Sequence, residues 1–177
     1  MKVVTAEWDE IRWYYTSILG AFDGCPVLSI GAGGTTVFNE LKTAHPHISV
    51  ECRRPTSDLR QKKLLVMLAR RLPAPVRDLL RSWEHRLLLL FEPGRRDVRA
   101  GDGELARLRS SDRVVILDDA IDTGATIKAV IDRLRGAGFQ GGVTTVVFAW
   151  TNPRSLVRPD FWFRESMLVK FPWSHDL

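Results

Sequence analysis

Apolar and polar positions along this 177-residue chain fall into two regimes. Some stretches repeat apolar residues at helical spacing, and others are short continuous apolar runs bounded by Gly, Pro or charge. Residues 3–22 belong to the first kind: Trp8, Ile11, Tyr15, Ile18 and Leu19 fall near one stripe, which Gly20 or Gly24 ends. Runs at Pro26–Ile30, Ile48–Cys52, Leu87–Phe91, Val114–Leu117 and Thr144–Ala149 predict five strands. Helical patterns lie between them. One runs to about Ala44. A pair over 57–72 and 75–86 carries Leu59, Leu64, Leu65, Met67 and Leu68, is capped by Ser57 and is broken by Pro73–Pro75. Another has Ile127, Val130, Ile131 and Leu134 and ends at Gly136 and Gly138. Residues 92–104, EPGRRDVRAGDGE, read as a polar loop. Strands alternating with helices predict an α/β fold, with a central, mainly parallel sheet of about five strands and helices on both faces.

The stretch RVVILDDAIDTGATIKA, Arg113–Ala129, carries the chemistry. An apolar strand runs into Asp118 and Asp119. Asp122, Thr123, Gly124, Ala125 and Thr126 then lead straight into a helix. Backbone N–H groups at a helix start are unpaired, and the dipole there favours an anion. Gly124 allows close approach of a phosphate, and the Thr123 and Thr126 hydroxyls add donors. The two acids can accept hydrogen bonds from a diol or hold a hydrated metal ion. A second strand–glycine–helix unit stands at Gly31, Ala32, Gly33, Gly34, Thr35 and Thr36.

This order of apolar run, paired acids, a further Asp and TGxT resembles the phosphoribosyl pyrophosphate (PRPP) motif of type I phosphoribosyltransferases. DDAIDTGAT is closest to the hypoxanthine-guanine and bacterial purine branch. The fragments NPRS, RPDF and FPW of the tail recur in that order in those enzymes, so the resemblance covers about residues 24–177. It implies one phosphoribosyltransferase-like domain over 1–177. A helical insertion at about 57–86 interrupts it, and the N-terminal helix and C-terminal tail form a small hood.

The resemblance also implies a reaction. The 5-phosphoribosyl group of PRPP passes to a nitrogen of a nucleobase-like acceptor and pyrophosphate is released, as in purine salvage and nucleotide metabolism. Asp118 and Asp119 would hold the ribose hydroxyls and Mg²⁺. Asp122–Thr126 would hold the 5′-phosphate, and Asp122 is the expected base or, alternatively, a cap of the helix. Gly31–Gly34 and Arg54 match the pyrophosphate loop and its basic partner. The 92–104 segment matches a closing loop, with Arg95, Arg96 and Arg99 available to phosphate. Trp150 occupies the position of the lysine that reads a 6-oxopurine, and Leu168, next to Val169, that of the aromatic that stacks on the base. A purine-like acceptor other than hypoxanthine or guanine is therefore expected, with Trp150 as a stacking face and Trp162 or Phe163 as a second wall.

Charge adds one complication. The formal net charge is +5, yet residues 53–99 hold thirteen Lys/Arg against five Asp/Glu. That excess suits a polyanionic substrate, and it also fits a regulator of the same fold that senses PRPP or purines and binds nucleic acid. Because the basic residues interleave with Leu at helical spacing, a solvated surface is the expectation, and nucleic acid is not the expected partner. A transferase of specialised metabolism is a further alternative. No run of eighteen apolar residues suggests a membrane span, the N-terminus lacks the apolar core of a signal peptide, and Cys25 and Cys52 have no metal-ligand spacing. A cytoplasmic homodimer or homotetramer is the resulting expectation.

Overall fold

The computed structural model of the chain describes residues 2–53 and 96–174. Strand β1 (Lys2–Thr5) precedes helix α1 (Trp8–Leu19), strand β2 (Val27–Ile30), helix α2 (Gly31–Leu41) and strand β3 (His47–Arg53). Strand β4 (Asp97–Arg99), helix α3 (Asp102–Arg107), strand β5 (Arg113–Ile121) and helix α4 (Ala125–Gly136) follow. Strands β6 (Gly142–Trp150), β7 (Phe161–Glu165) and β8 (Met167–Lys170) close the order. The expected insertion at 57–86, the strand at Leu87–Phe91, Arg54 and Arg95 lie outside the described residues.

Among the described residues, six strands form the main sheet in the order β4-β3-β2-β5-β6-β7. All pairings are parallel except β3 with β4, which is antiparallel. The α/β architecture with a mostly parallel sheet is as the periodicity predicts. Its central strand β5 is apolar and fully buried from Val114 to Leu117, as a strand covered on both faces must be.

Side chains of β5 still alternate between two cores. Val115 and Leu117 pack with Ile11, Tyr15, Leu19, Val37 and Phe148 on the face covered by α1 and α2. Val114 and Ile116 pack with Leu105, Ile127, Val130 and Leu134 on the face covered by α3 and α4. Burial of that many aliphatic side chains, each worth about 1.5–3 kcal/mol, fixes the register of the sheet.

Three expectations change. The N-terminal segment is a strand and then a helix, and α1 is not part of a hood. Its stripe Ile11, Tyr14, Tyr15 and Leu19 is buried against the sheet, because four large apolar side chains on one face need a sheet to cover them. The hood is a separate two-stranded parallel sheet, β1 with β8, in which Val3 faces Leu168 and Val4 faces Val169. The segment 92–104 is not one loop. Asp97–Arg99 pairs with Glu51–Arg53, and α3 begins at Asp102, because Val98 and Leu105 both find apolar cover in the second core. Within this segment Arg99 pairs with Asp97 at 3.2 Å.

The glycines of GAGGTT are the first turn of α2 and not a loop before it. Gly31 turns the chain in one residue at φ +62°, a conformation that favours glycine. An added Cβ on Gly34 would stand 2.6 Å from the Leu117 carbonyl oxygen, so α2 packs directly on the backbone of β5. Gly34→Ala should therefore destabilise the protein by about 1–3 kcal/mol. Gly20→Ala, with open space around the new Cβ and φ −59°, should leave the melting temperature unchanged or slightly raised. Equal melting of both variants in a thermal scan would contradict this packing.

Candidate functional site

The strand β5 does not stop before the acids. It continues through Asp118 and Asp119 to Ile121, so both carboxylates stand at its carboxyl end, half-buried. In an open parallel sheet this end is where ligands bind. The Tyr15 hydroxyl, fully buried on α1, donates to the Asp118 carbonyl at 2.6 Å and holds the strand end in place. The Asp119 backbone N–H donates to Asp118 Oδ1 at 2.9 Å.

The glycines of α2 meet this diacid. A Cβ on Gly33 would lie 2.0 Å from Asp119 Oδ2, and one on Gly34 would lie 3.4 Å from Asp118 Cα. Thus Gly31–Gly34 and the diacid, remote in sequence, come together because β2 and β5 are adjacent parallel strands. The start of α2 directs backbone N–H groups to the same end of the sheet.

The phosphate-type loop follows. Gly124 is the N-cap of α4, takes φ +74°, and makes no side-chain cap bond. Its lack of a side chain is required from outside as well: a Cβ would stand 2.8 Å from Val157 N and 3.1 Å from Leu156 N. Leu156 N donates to the Thr123 carbonyl at 2.9 Å, so residues 155–157 clasp the loop. The Thr123 hydroxyl accepts from Ala125 N at 3.4 Å, and Thr126 is half-buried in the first turn.

Asp122 is exposed beside this loop, and its Oδ1 meets the Thr151 hydroxyl. Thr151, buried at the end of β6, is also within 2.9 Å of the Ile121 carbonyl through the same hydroxyl. Among the acids, Asp122 thus sits where solvent and a ligand can reach it. The N-cap position of α4 is Gly124, two residues further on.

The base-pocket expectation needs correction. Trp150 is buried in the α4-side core, 5.0 Å from the Trp162 ring, and its indole N–H donates to Ser155 Oγ at 2.9 Å. The Arg158 guanidinium lies over both rings. An indole enclosed in this way is core and not an open stacking face. Phe163 is on the other face, against Tyr14 and Phe148. Leu168 and Val169 stand half-buried on the hood strand β8, and Val169 packs on the α1-side core. Trp150 and Val169 therefore belong to opposite faces of the sheet and do not form one pocket.

One residue that the motif pattern left without a role does reach the site. Trp173, of the FPW fragment, donates its indole N–H to Asp119 Oδ2 at 3.4 Å. Tyr15 and Thr151 were likewise invisible as site residues, since their partners are chosen by strand adjacency. For Trp173 the fragment itself was the only available signal.

Electrostatics at the diacid are tense. Burial first, and then the Asp119 charge, hold the Asp118 carboxyl well above the usual carboxylate range. Burial also raises Asp119, against the opposing hydrogen bonds from Asp118 and Trp173. Burial pushes the nearby half-buried Cys52 thiol up to about 11, so it is a neutral thiol at pH 7 and no nucleophile. No group of three or more His, Cys, Asp or Glu able to hold a metal ion occurs among the described residues. Two adjacent carboxylates of this kind do fit a Mg²⁺ ion that takes its remaining ligands from water and substrate phosphates.

A carboxyl whose folded pKa is raised holds its proton more tightly folded than unfolded. Its stabilising effect is complete below the unfolded value of about 4 and is lost as pH rises through the folded value. Asp118→Asn removes the ionisation and keeps an acceptor for Asp119 N–H. With a chelator present, the variant should melt about 2–4 °C above the wild type at pH 7–8. The difference should shrink towards pH 4. A variant that melts lower at neutral pH would contradict the assignment.

Comparison with known proteins agrees with this geometry. The sequence model of the family described as "Phosphoribosyl transferase domain" matches residues 63–176. The chain is 41% identical over 73 residues to the "Bifunctional protein PyrR" of Streptococcus pneumoniae (strain CGSP14), a match over 40% of this chain and 42% of that protein. The chain thus spans less than half the length of that curated relative. The crystal structure of the purine phosphoribosyltransferase from Pyrococcus horikoshii Ot3 superposes with a TM-score of 0.66 at 18% identity, over 100% of this chain and 97% of that one. The Helicobacter pylori xanthine-guanine-hypoxanthine phosphoribosyltransferase does so with a TM-score of 0.62 at 8% identity, over 98% and 95%. At such identities the structural likeness speaks for the fold alone. The matched family model spans most of the chain, including the diacid and the loop after it, and the chain belongs to the phosphoribosyl transferase domain family, with the type I fold.

Proposed function

We propose that the protein transfers the 5-phosphoribosyl group of PRPP to a ring nitrogen of a purine-like base. The observation that carries this reading is the convergence of Asp118 and Asp119 with two helix starts, Gly31–Gly34 and Asp122–Thr126, at the carboxyl end of adjacent parallel strands. A ribose carrying a phosphate at one end and a diphosphate at the other needs a diol acceptor between two anion sites. In the reaction, the acceptor nitrogen forms a bond to C1 of the ribose as the bond from C1 to the pyrophosphate oxygen breaks. The leaving pyrophosphate takes that electron pair, and the ribose ring gathers positive charge in the transition state.

The residues divide the work. Asp118 and Asp119 accept from the ribose hydroxyls, and their negative charge favours the developing cation. The backbone of Asp122–Thr126 and the Thr123 and Thr126 hydroxyls hold the 5′-phosphate. The start of α2 takes the pyrophosphate. Asp122 accepts the proton lost by the acceptor nitrogen, with Thr151 fixing its carboxylate. Asp118 and Asp119 would hold Mg²⁺, which when bound would supply charge neutralisation of the leaving group.

A 6-oxopurine of the hypoxanthine or guanine kind is not the preferred acceptor in this reading. Where the resemblance expects a lysine that reads the 6-oxo group, this chain has Trp150, which carries no ammonium and is buried in the core with its one N–H on Ser155. The relative named as bifunctional favours a second reading: a regulator of this fold that senses PRPP or purines and binds nucleic acid. Mass-spectrometric screening of bases incubated with PRPP and Mg²⁺ separates the two. Nucleotide formation supports the enzyme, and binding of PRPP without turnover of any base supports the regulator.

Two outcomes test the residue roles. By calorimetry, PRPP should bind only with Mg²⁺, and the double variant Asp118→Asn, Asp119→Asn should bind it at least about tenfold more weakly. Unchanged affinity would remove the central argument. Asp122→Asn should lower kcat by about 10²–10⁴-fold while PRPP affinity stays nearly constant. Full turnover by that variant would assign the proton to another acceptor.

A further inference from the structure

The diacid is contacted from above by a part of the chain that the motif does not contain. Trp173 lies beyond β8, and its indole N–H reaches Asp119 Oδ2. The same oxygen is the atom closest to a Cβ built on Gly33. It is therefore enclosed between the first turn of α2 and the indole.

The indole is itself fixed on two sides. Phe171 stacks on it at 4.8 Å and 16°, and Trp8 meets it at 4.9 Å. Phe171 is buried and contacts Phe148 of β6, while Trp8 opens α1. Seven residues further along α1, the Tyr15 hydroxyl holds the Asp118 carbonyl. Both acids are thus tied to one aromatic layer, Asp118 through its backbone and Asp119 through its side chain. The glycine notch beside Asp119 offers the carboxylate space and no side-chain donor of its own. The indole N–H supplies a donor with a fixed direction.

We propose that Trp173 is a positioning residue for phosphoribosyl transfer: its indole N–H sets the orientation of the Asp119 carboxylate that receives the ribose hydroxyls. It acts through Asp119 and not on the reacting atoms. This rests on the PRPP reading above.

Trp173→Phe keeps an aromatic ring in the layer and removes the donor. In ¹H–¹⁵N spectra of the full chain, the indole signal missing from this variant identifies Trp173 among the six tryptophans. In the absence of ligand, Asp119→Asn should move that signal. Added PRPP and Mg²⁺ should move it in the wild type. Trp173→Phe should weaken PRPP binding about five- to tenfold, raise the KM for PRPP similarly, and lower kcat much less. Its melting temperature should stay close to that of the wild type, which a merely structural role would not allow together with the KM change. An indole signal unmoved by Asp119→Asn overturns the contact, whatever PRPP does. A variant that binds PRPP as the wild type does overturns the positioning role alone. Failure of the wild type to bind PRPP is a different result and removes the functional reading beneath it.

Discussion

The close approach of α2 to the end of β5 is the constraint on which the rest of the site depends. At Gly34 helix and strand meet backbone to backbone, over Leu117 and Asp118, and at Gly33 the helix backbone lies against the Asp119 carboxylate. A Cβ at Gly34 would push the helix start off the strand backbone, and one at Gly33 would displace the Asp119 carboxylate. Because β2 and β5 are adjacent and parallel, this contact brings the positive end of a helix dipole beside two carboxylates. The second helix start, at Gly124, approaches from the strand's own continuation. On the proposed reading, a diol between two phosphates would find acceptors and helix starts around it.

The arrangement is costly to the ligand-free protein. Two half-buried carboxyl groups held side by side both resist ionisation. The chain offsets part of this with the Asp119 N–H and the Trp173 indole. A binding site is expected to show this kind of local conflict, because groups arranged for a ligand are imperfectly satisfied without it.

Around the site the two faces of the sheet have different work. On the α1 side an aromatic layer of Tyr14, Tyr15, Phe148, Phe163, Phe171 and Trp173 joins the first helix, the sheet and the hood. On the α4 side Trp150, Trp162, Arg158 and Ser155 brace the segment that clasps Gly124. Trp150 therefore supports the Gly124 loop from behind, through Ser155, while the hood side faces the diacid.

The sequence by itself determined the α/β class, the parallel core strands and the loop that follows the acids. These are local: a buried strand must be apolar on both faces, and a small polar stretch between an apolar run and an apolar stripe at helical spacing marks the strand-to-helix turn. It read Gly31–Gly34 as a loop, because four small residues in a row do not reveal that the helix begins at the first of them. Tertiary structure alone decided the partners. Whether Trp150 faces a ligand or the core depends on which face of β6 it takes, and that face is set by α4 and Trp162. That Tyr15 holds Asp118, Thr151 meets Asp122 and Trp173 reaches Asp119 follows from strand order and hood pairing. Such contacts join residues as far as 103 positions apart. No periodicity carries that information, because it arises only when the sheet has brought the strand ends side by side.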